Sequence, residues 1–72
     1  LSQQGAVNMI ARLVENEDRH KPLSDAKLCE RLNDEGYAVA RRTVAKYRGM
    51  IGIPDYRVRR DRYIRILSGA GK

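Results

Sequence analysis

Tryptophan and phenylalanine are absent from this 72-residue chain, and its aromatic complement is four tyrosines. A core must then be assembled mainly from Leu, Ile, Val, Met and Ala, a mixture that favours helices over a sandwich. Cys29 stands alone, so no internal disulfide can form, and no second cysteine or clustered histidine offers metal-ligand spacing. A reducing compartment is expected, with neither metal nor cofactor. No apolar run approaches the roughly 20 residues of a membrane span, and the start lacks the charged-then-apolar layout of a signal peptide. The expectation is a soluble cytoplasmic protein with no membrane contact. Paired carboxylates beside a plausible pocket, Ser/His/Asp or Cys/His sets and a glycine-rich phosphate loop are all missing, so no enzyme is expected. Residue 1 is Leu rather than Met, as expected of a piece excised from a longer polypeptide.

Charge is abundant and unevenly placed. Residues 1–39 hold five Lys/Arg and seven Asp/Glu, a balance of −2, whereas residues 40–72 hold ten and two, a balance of +8. So lopsided a block calls for a polyanionic partner, because Lys and Arg release condensed counterions when they meet phosphates.

The size admits one domain with a three-helix type of core. In the segment Ser2 to Asp18, Ala6, Met9, Ile10, Leu13 and Val14 fall on one helix face, with Ser2 placed to cap it. Glu15, Glu17 and Asp18 sit at its end, where the macrodipole disfavours negative charge, so the helix should stop there. His20 reads as a solvated loop residue. Pro22, Ser24 as N-cap and Asp25 in the first turn open a second helix from about Asp25 to Glu35, with Leu28, Cys29 and Leu32 inward and Gly36 as its left-handed terminator. Cys29 reads as a small core residue. A third helix follows, with Ala40, Val44, Tyr47 and Ile51 as its buried stripe and Gly52 and Pro54 ending it. At about 100° per residue its opposite face is centred on Arg42, Lys46 and Gly49, flanked by Arg41, Thr43 and Ala45.

The expected fold is an all-α three-helix bundle containing a helix-turn-helix, with a basic C-terminal extension. Beyond Pro54 the apolar residues fit neither period, and a short helix from Asp55 and an extended arm both remain open. The domain is taken as residues 1–67, with 68–72 as a flexible tail. A recognition helix needs an apolar stripe to fix it and, on its other side, long donors beside slim residues. Arg42 and Lys46 supply the donors, and Ala45 and Gly49 let the backbone approach. Arg41 and Arg48, nearer the buried edge, would reach phosphates. Ser24 and, in the extension, Arg57, Arg59 and Arg60 complete the candidate contacts, the extension adding salt-sensitive affinity more than sequence choice. Ala40 has no side-chain acceptor where a cap belongs, which leaves the first N–H groups of helix 3 to a phosphate oxygen or to water. A repressor or recombinase helix-turn-helix module and an RNA-binding or protein-docking helical domain are the competing readings.

The run Ala40-Arg-Arg-Thr-Val-Ala-Lys-Tyr-Arg48 closely resembles the signature box of the RpoN family, the bacterial sigma-54 factors of RNA polymerase. The resemblance extends through Lys21-Pro22-Leu23-Ser24-Asp25 and Ile53-Pro54, over roughly residues 6 to 60. Gly49 departs from the family, which usually has Glu there, and Tyr56 to Lys72 does not align. What the resemblance implies is a C-terminal domain that recognises the minus-24 promoter element, with its GG doublet, and so anchors polymerase in a closed complex. Its opening would depend on an ATP-driven activator acting elsewhere on the factor. The DNA contacts it implies are Arg41, Arg42, Thr43 and Lys46. The expected partners are double-stranded promoter DNA in the bacterial nucleoid and, through other regions of the parent protein, core RNA polymerase. The domain itself should bind as a monomer.

Overall fold

A computed structural model describes residues 3–68. Four helices follow one another: α1 (Gln3–Glu15), α2 (Asp25–Asp34), α3 (Arg41–Met50) and α4 (Tyr56–Ser68), and the described residues include no strand. Ser2, expected to cap the first helix, and residues 69–72 of the expected tail lie outside the described residues, and Ser68 ends α4.

Helices α1, α2 and α3 pack on one another through a core of Ala6, Ile10, Leu28, Leu32 and Val44. Around it lie the half-buried Met9, Leu13, Val14, Cys29, Tyr37, Val39, Tyr47 and Ile53. Val7, which lies off the expected α1 stripe, is buried as well. Helix α2 begins as its sequence suggests, with the Ser24 hydroxyl oxygen accepting from the Lys27 amide at 3.3 Å. The thiol of Cys29 donates to the Val39 carbonyl, tying α2 to the chain that leads into α3.

Both α2 and α3 end in the same way. Gly36 takes a φ of +98° and Gly52 one of +74°, left-handed values that a Cβ disfavours. After α2 the Tyr37 amide donates to Leu32 O and that of Gly36 to Asn33 O; after α3 the Ile53 amide donates to Arg48 O and that of Gly52 to Gly49 O. These are paired Schellman closures, which satisfy terminal carbonyls and turn the chain back toward the core. The second one corrects the expected buried stripe. Helix α3 stops at Met50, so Ile51 leaves the helical phase at 39% exposure, and Ile53 packs against the core in its place. Ala40, the first residue of that stripe, is exposed as the N-cap.

The basic extension is helical. Asp55 opens α4 by accepting from the Arg57 and Val58 amides at 3.0 and 3.1 Å, bonds that hold its carboxyl below the ordinary aspartate range. The helix has no apolar seam toward the bundle; Val58, Ile64, Ile66 and Leu67 are all exposed. Its attachment is polar. Arg59, 4% exposed, donates from Nε and Nη2 to the two carboxylate oxygens of Glu17 at 2.8 and 2.9 Å, from Nη1 to Pro54 O at 2.7 Å, and from Nη2 to Leu23 O. Glu17 also accepts from the Tyr63 hydroxyl at 2.6 Å and the Leu23 amide at 2.8 Å. One carboxylate thus joins the α1–α2 connection to α4. The Arg19 guanidinium lies over the Tyr63 ring at 5.9 Å.

Burial pushes the Glu17 pKa up, but the bonds from Arg59, Tyr63 and the Leu23 amide outweigh it and hold the carboxyl below its ordinary 4.5. A carboxyl whose folded-state pKa is depressed stabilises fully above its unfolded value and loses that contribution as pH falls through the folded one. The stability advantage of the native domain over Glu17→Gln should therefore be largest above pH 4.5 and close below it, as read by thermal melts. Because removal of one partner strands a buried charge, Arg59→Met should cost about 3–5 kcal/mol in urea unfolding, against about 0.5 or less for the exposed Arg60→Met. Equal effects of the two substitutions would show that the buried pair anchors nothing.

Candidate nucleic-acid interface

Helix α3 is held by one face and open on the other. Val44 is fully buried, and Tyr47 packs beside it. Arg41, Arg42 and Lys46 are exposed; Thr43 and Ala45, between them, are half-buried. Gly49 is exposed, and a Cβ built there would meet nothing within 4 Å. Nothing in the domain's own packing requires a glycine at that place, although glycine in a helix costs about 0.5–1 kcal/mol relative to alanine. The N-cap residue Ala40 has an extended backbone and no side-chain cap bond, as its chemistry dictates.

Two of the expected contact residues are engaged within the domain itself. Arg48, with 13% of its side chain exposed, donates from Nε and Nη2 to the two oxygens of Asp25 at 2.9 and 3.0 Å and from Nη1 to Ile53 O at 3.1 Å. The bond to Asp25 outweighs burial and raises the Arg48 pKa, so the guanidinium is fixed as a cation between the first turn of α2 and the turn that closes α3. In the domain by itself it positions α3. Arg59 is engaged likewise, its guanidinium being buried among Glu17, Leu23 and Pro54.

The remaining candidates are distributed over three elements. Ser24, Arg41 and Arg57 line one shallow depression, together with Asp25, Arg48 and Tyr56. Ser24 is half-buried and its hydroxyl caps α2. Arg60 is exposed on α4 and does not line that depression. Sequence reasoning missed Glu17, Asp25 and Tyr63 as partners. Glu17 was visible as an acid at the wrong end of a helix, but its partner Arg59 is 42 residues away.

Among the described residues no group of His, Cys, Asp and Glu could hold a metal ion, and no helix is long and apolar enough to cross a membrane. The arrangement is that of a small helical domain with one cationic helix face, suited to a polyanion.

Comparison with known proteins narrows this class. The family described as "Sigma-54, DNA binding domain" matches residues 1–61, and the chain belongs to it. It is 58% identical over 45 residues to the RNA polymerase sigma-54 factor of Xanthomonas euvesicatoria, covering 62% of this chain and 9% of that protein. The corresponding factor of Vibrio anguillarum is 53% identical over 45 residues, with 62% and 9% covered. That of Escherichia coli (strain K12) is 50% identical over 46 residues, with 64% and 10% covered. The chain thus spans about a tenth of the length of these relatives.

Arg48→Lys keeps the charge but loses the planar fork that grips both Asp25 oxygens. It should lower stability by about 1–3 kcal/mol in chemical unfolding while leaving the salt dependence of DNA binding unchanged. A slope reduced with stability intact would return Arg48 to the phosphate contacts.

Proposed function

We propose that this domain recognises the minus-24 promoter element as double-stranded DNA, with α3 lying in the major groove as the second helix of a helix-turn-helix formed with α2. In this reading it is the part of a sigma-54 factor that anchors RNA polymerase on the promoter, the polymerase being held by other regions of the factor. One observation carries it: Arg42 and Lys46 stand exposed beside Ala45 and Gly49, while Val44, on the other side of the same helix, is fully buried.

The division suits the chemistry of base reading. A guanidinium can pair with guanine O6 and N7 together, and the minus-24 core contains a GG doublet, so Arg42, near the N-terminal end of α3, is placed to read a guanine. Lys46 lies one turn further on the same face. Gly49 thins the helix surface where a closer backbone approach brings the donors within reach. Ala40 leaves amides of the first turn without a side-chain acceptor, and a backbone phosphate can accept from them.

Replacing Arg42 with Lys should cost about 1–3 kcal/mol on the cognate duplex and much less on one with that guanine replaced, measured by fluorescence anisotropy. An equal loss on both duplexes would make Arg42 a backbone clamp. Gly49→Ala should raise the stability of the free domain by about 0.5–1 kcal/mol and weaken binding to the cognate duplex. Undiminished binding by the stabilised variant would show that no close approach occurs at Gly49.

A further inference from the structure

Arg41 opens α3 and Arg57 lies in the first turn of α4, yet both line the same shallow depression. The two carboxylates there are already committed. Asp25 holds Arg48 through both oxygens, and Asp55 caps α4 by accepting from the Arg57 and Val58 amides. Arg41 and Arg57 themselves are exposed and make no ion pair within the described residues. The Arg57 guanidinium lies over the Tyr56 ring at 5.9 Å, which restricts the directions it explores. Arg59, two residues on, is the most firmly held side chain of α4. Arg57 is thus partly ordered by Tyr56 and by the nearby Asp55, and one depression presents it together with Arg41 from a second element, which lowers the ordering cost of binding a ligand there.

We propose that Arg41 and Arg57 clamp a single backbone phosphodiester of the DNA, one guanidinium on each non-bridging oxygen, so that α4 belongs to the DNA-binding surface and fixes register without reading bases. A phosphodiester carries one negative charge and two such oxygens, which two forks approaching from separate elements can share. The proposal rests on the reading of α3 as the helix that faces DNA.

The salt dependence of binding to a scrambled duplex tests the clamp apart from sequence recognition. Removing one neutralised phosphate lowers the slope of log K against log salt by about 0.9, so Arg41→Gln/Arg57→Gln should lower it by about that amount. A drop of about 1.8 would mean two separate phosphates, and no drop would mean none; either overturns the clamp. A second measurement uses minus-24 duplexes carrying one uncharged methylphosphonate at successive positions. Each single variant should bind the unmodified duplex about tenfold more weakly than the native domain, and one methylphosphonate position should bring both variants to within about twofold of it. Silencing at two different positions, or at none, overturns the proposal. If the native domain shows no preference for the minus-24 duplex over the scrambled one while the double variant still loses one phosphate, promoter recognition fails and the clamp stands.

Discussion

The carboxylate of Glu17, with 1% of its side chain exposed, is the point on which the arrangement of the basic half depends. Helix α4 brings almost no apolar surface to the bundle, so its position cannot come from hydrophobic burial. It comes from a desolvated ion pair in which the partners' other hydrogen-bonding capacity is largely met: Glu17 takes four bonds, and Arg59 reaches two main-chain carbonyls as well as the acid. Such a pair is unforgiving of partial loss, because each member left alone is a buried charge. It is also directional in a way that apolar contact is not, and this gives a solvent-covered helix a fixed azimuth. That azimuth brings Arg57 to the depression that Arg41 also lines.

A second ion pair, Asp25 with Arg48, acts on α3 in a similar manner. The helix is seated on its apolar side by Val44 and at its end by the Schellman turn that brings in Ile53, and Arg48 reaches the carbonyl of that same residue. Two kinds of cation are thus distinguished among the candidate contacts. Arg48 and Arg59 are paired inside the protein and shape the surface; Arg41, Arg42 and Lys46 remain on it. The net positive charge of the C-terminal half overstates what a polyanion meets, since two of its guanidiniums already face carboxylates supplied by the N-terminal half.

Much of the three-helix part was legible because its signals are local. Ser24, Gly36, Gly52 and Pro54 mark ends through backbone geometry that a few neighbouring residues determine, and Ile10, Leu28, Leu32 and Val44 follow a helical period. The swap of Ile51 for Ile53 was not legible, because it depends on where α3 stops, within a single residue. Helix α4 escaped the periodic reading since its inward face is Arg59 and Tyr63, and no apolar count registers a polar seam. For the candidate site the exposed face of α3 followed from its wheel. The internal partners of Arg48 and Arg59 were not legible, because a charge in a sequence does not disclose an acid 23 or 42 residues away.

The separation of Glu17 from Arg59 bears on how the chain is made. A ribosome releases α1, α2 and α3 before the side chain that pairs with Glu17 exists outside the exit tunnel, and local helical contacts form faster than distant ones. The three-helix core can therefore consolidate while Glu17 is still hydrated by solvent. Its dehydration is coupled to the docking of α4, because Arg59 and Tyr63, which cover it, both lie on that helix. The hydrophobic interior and the anionic socket are thus supplied by the first three helices and their connections, and the last helix serves as the counterion of that socket.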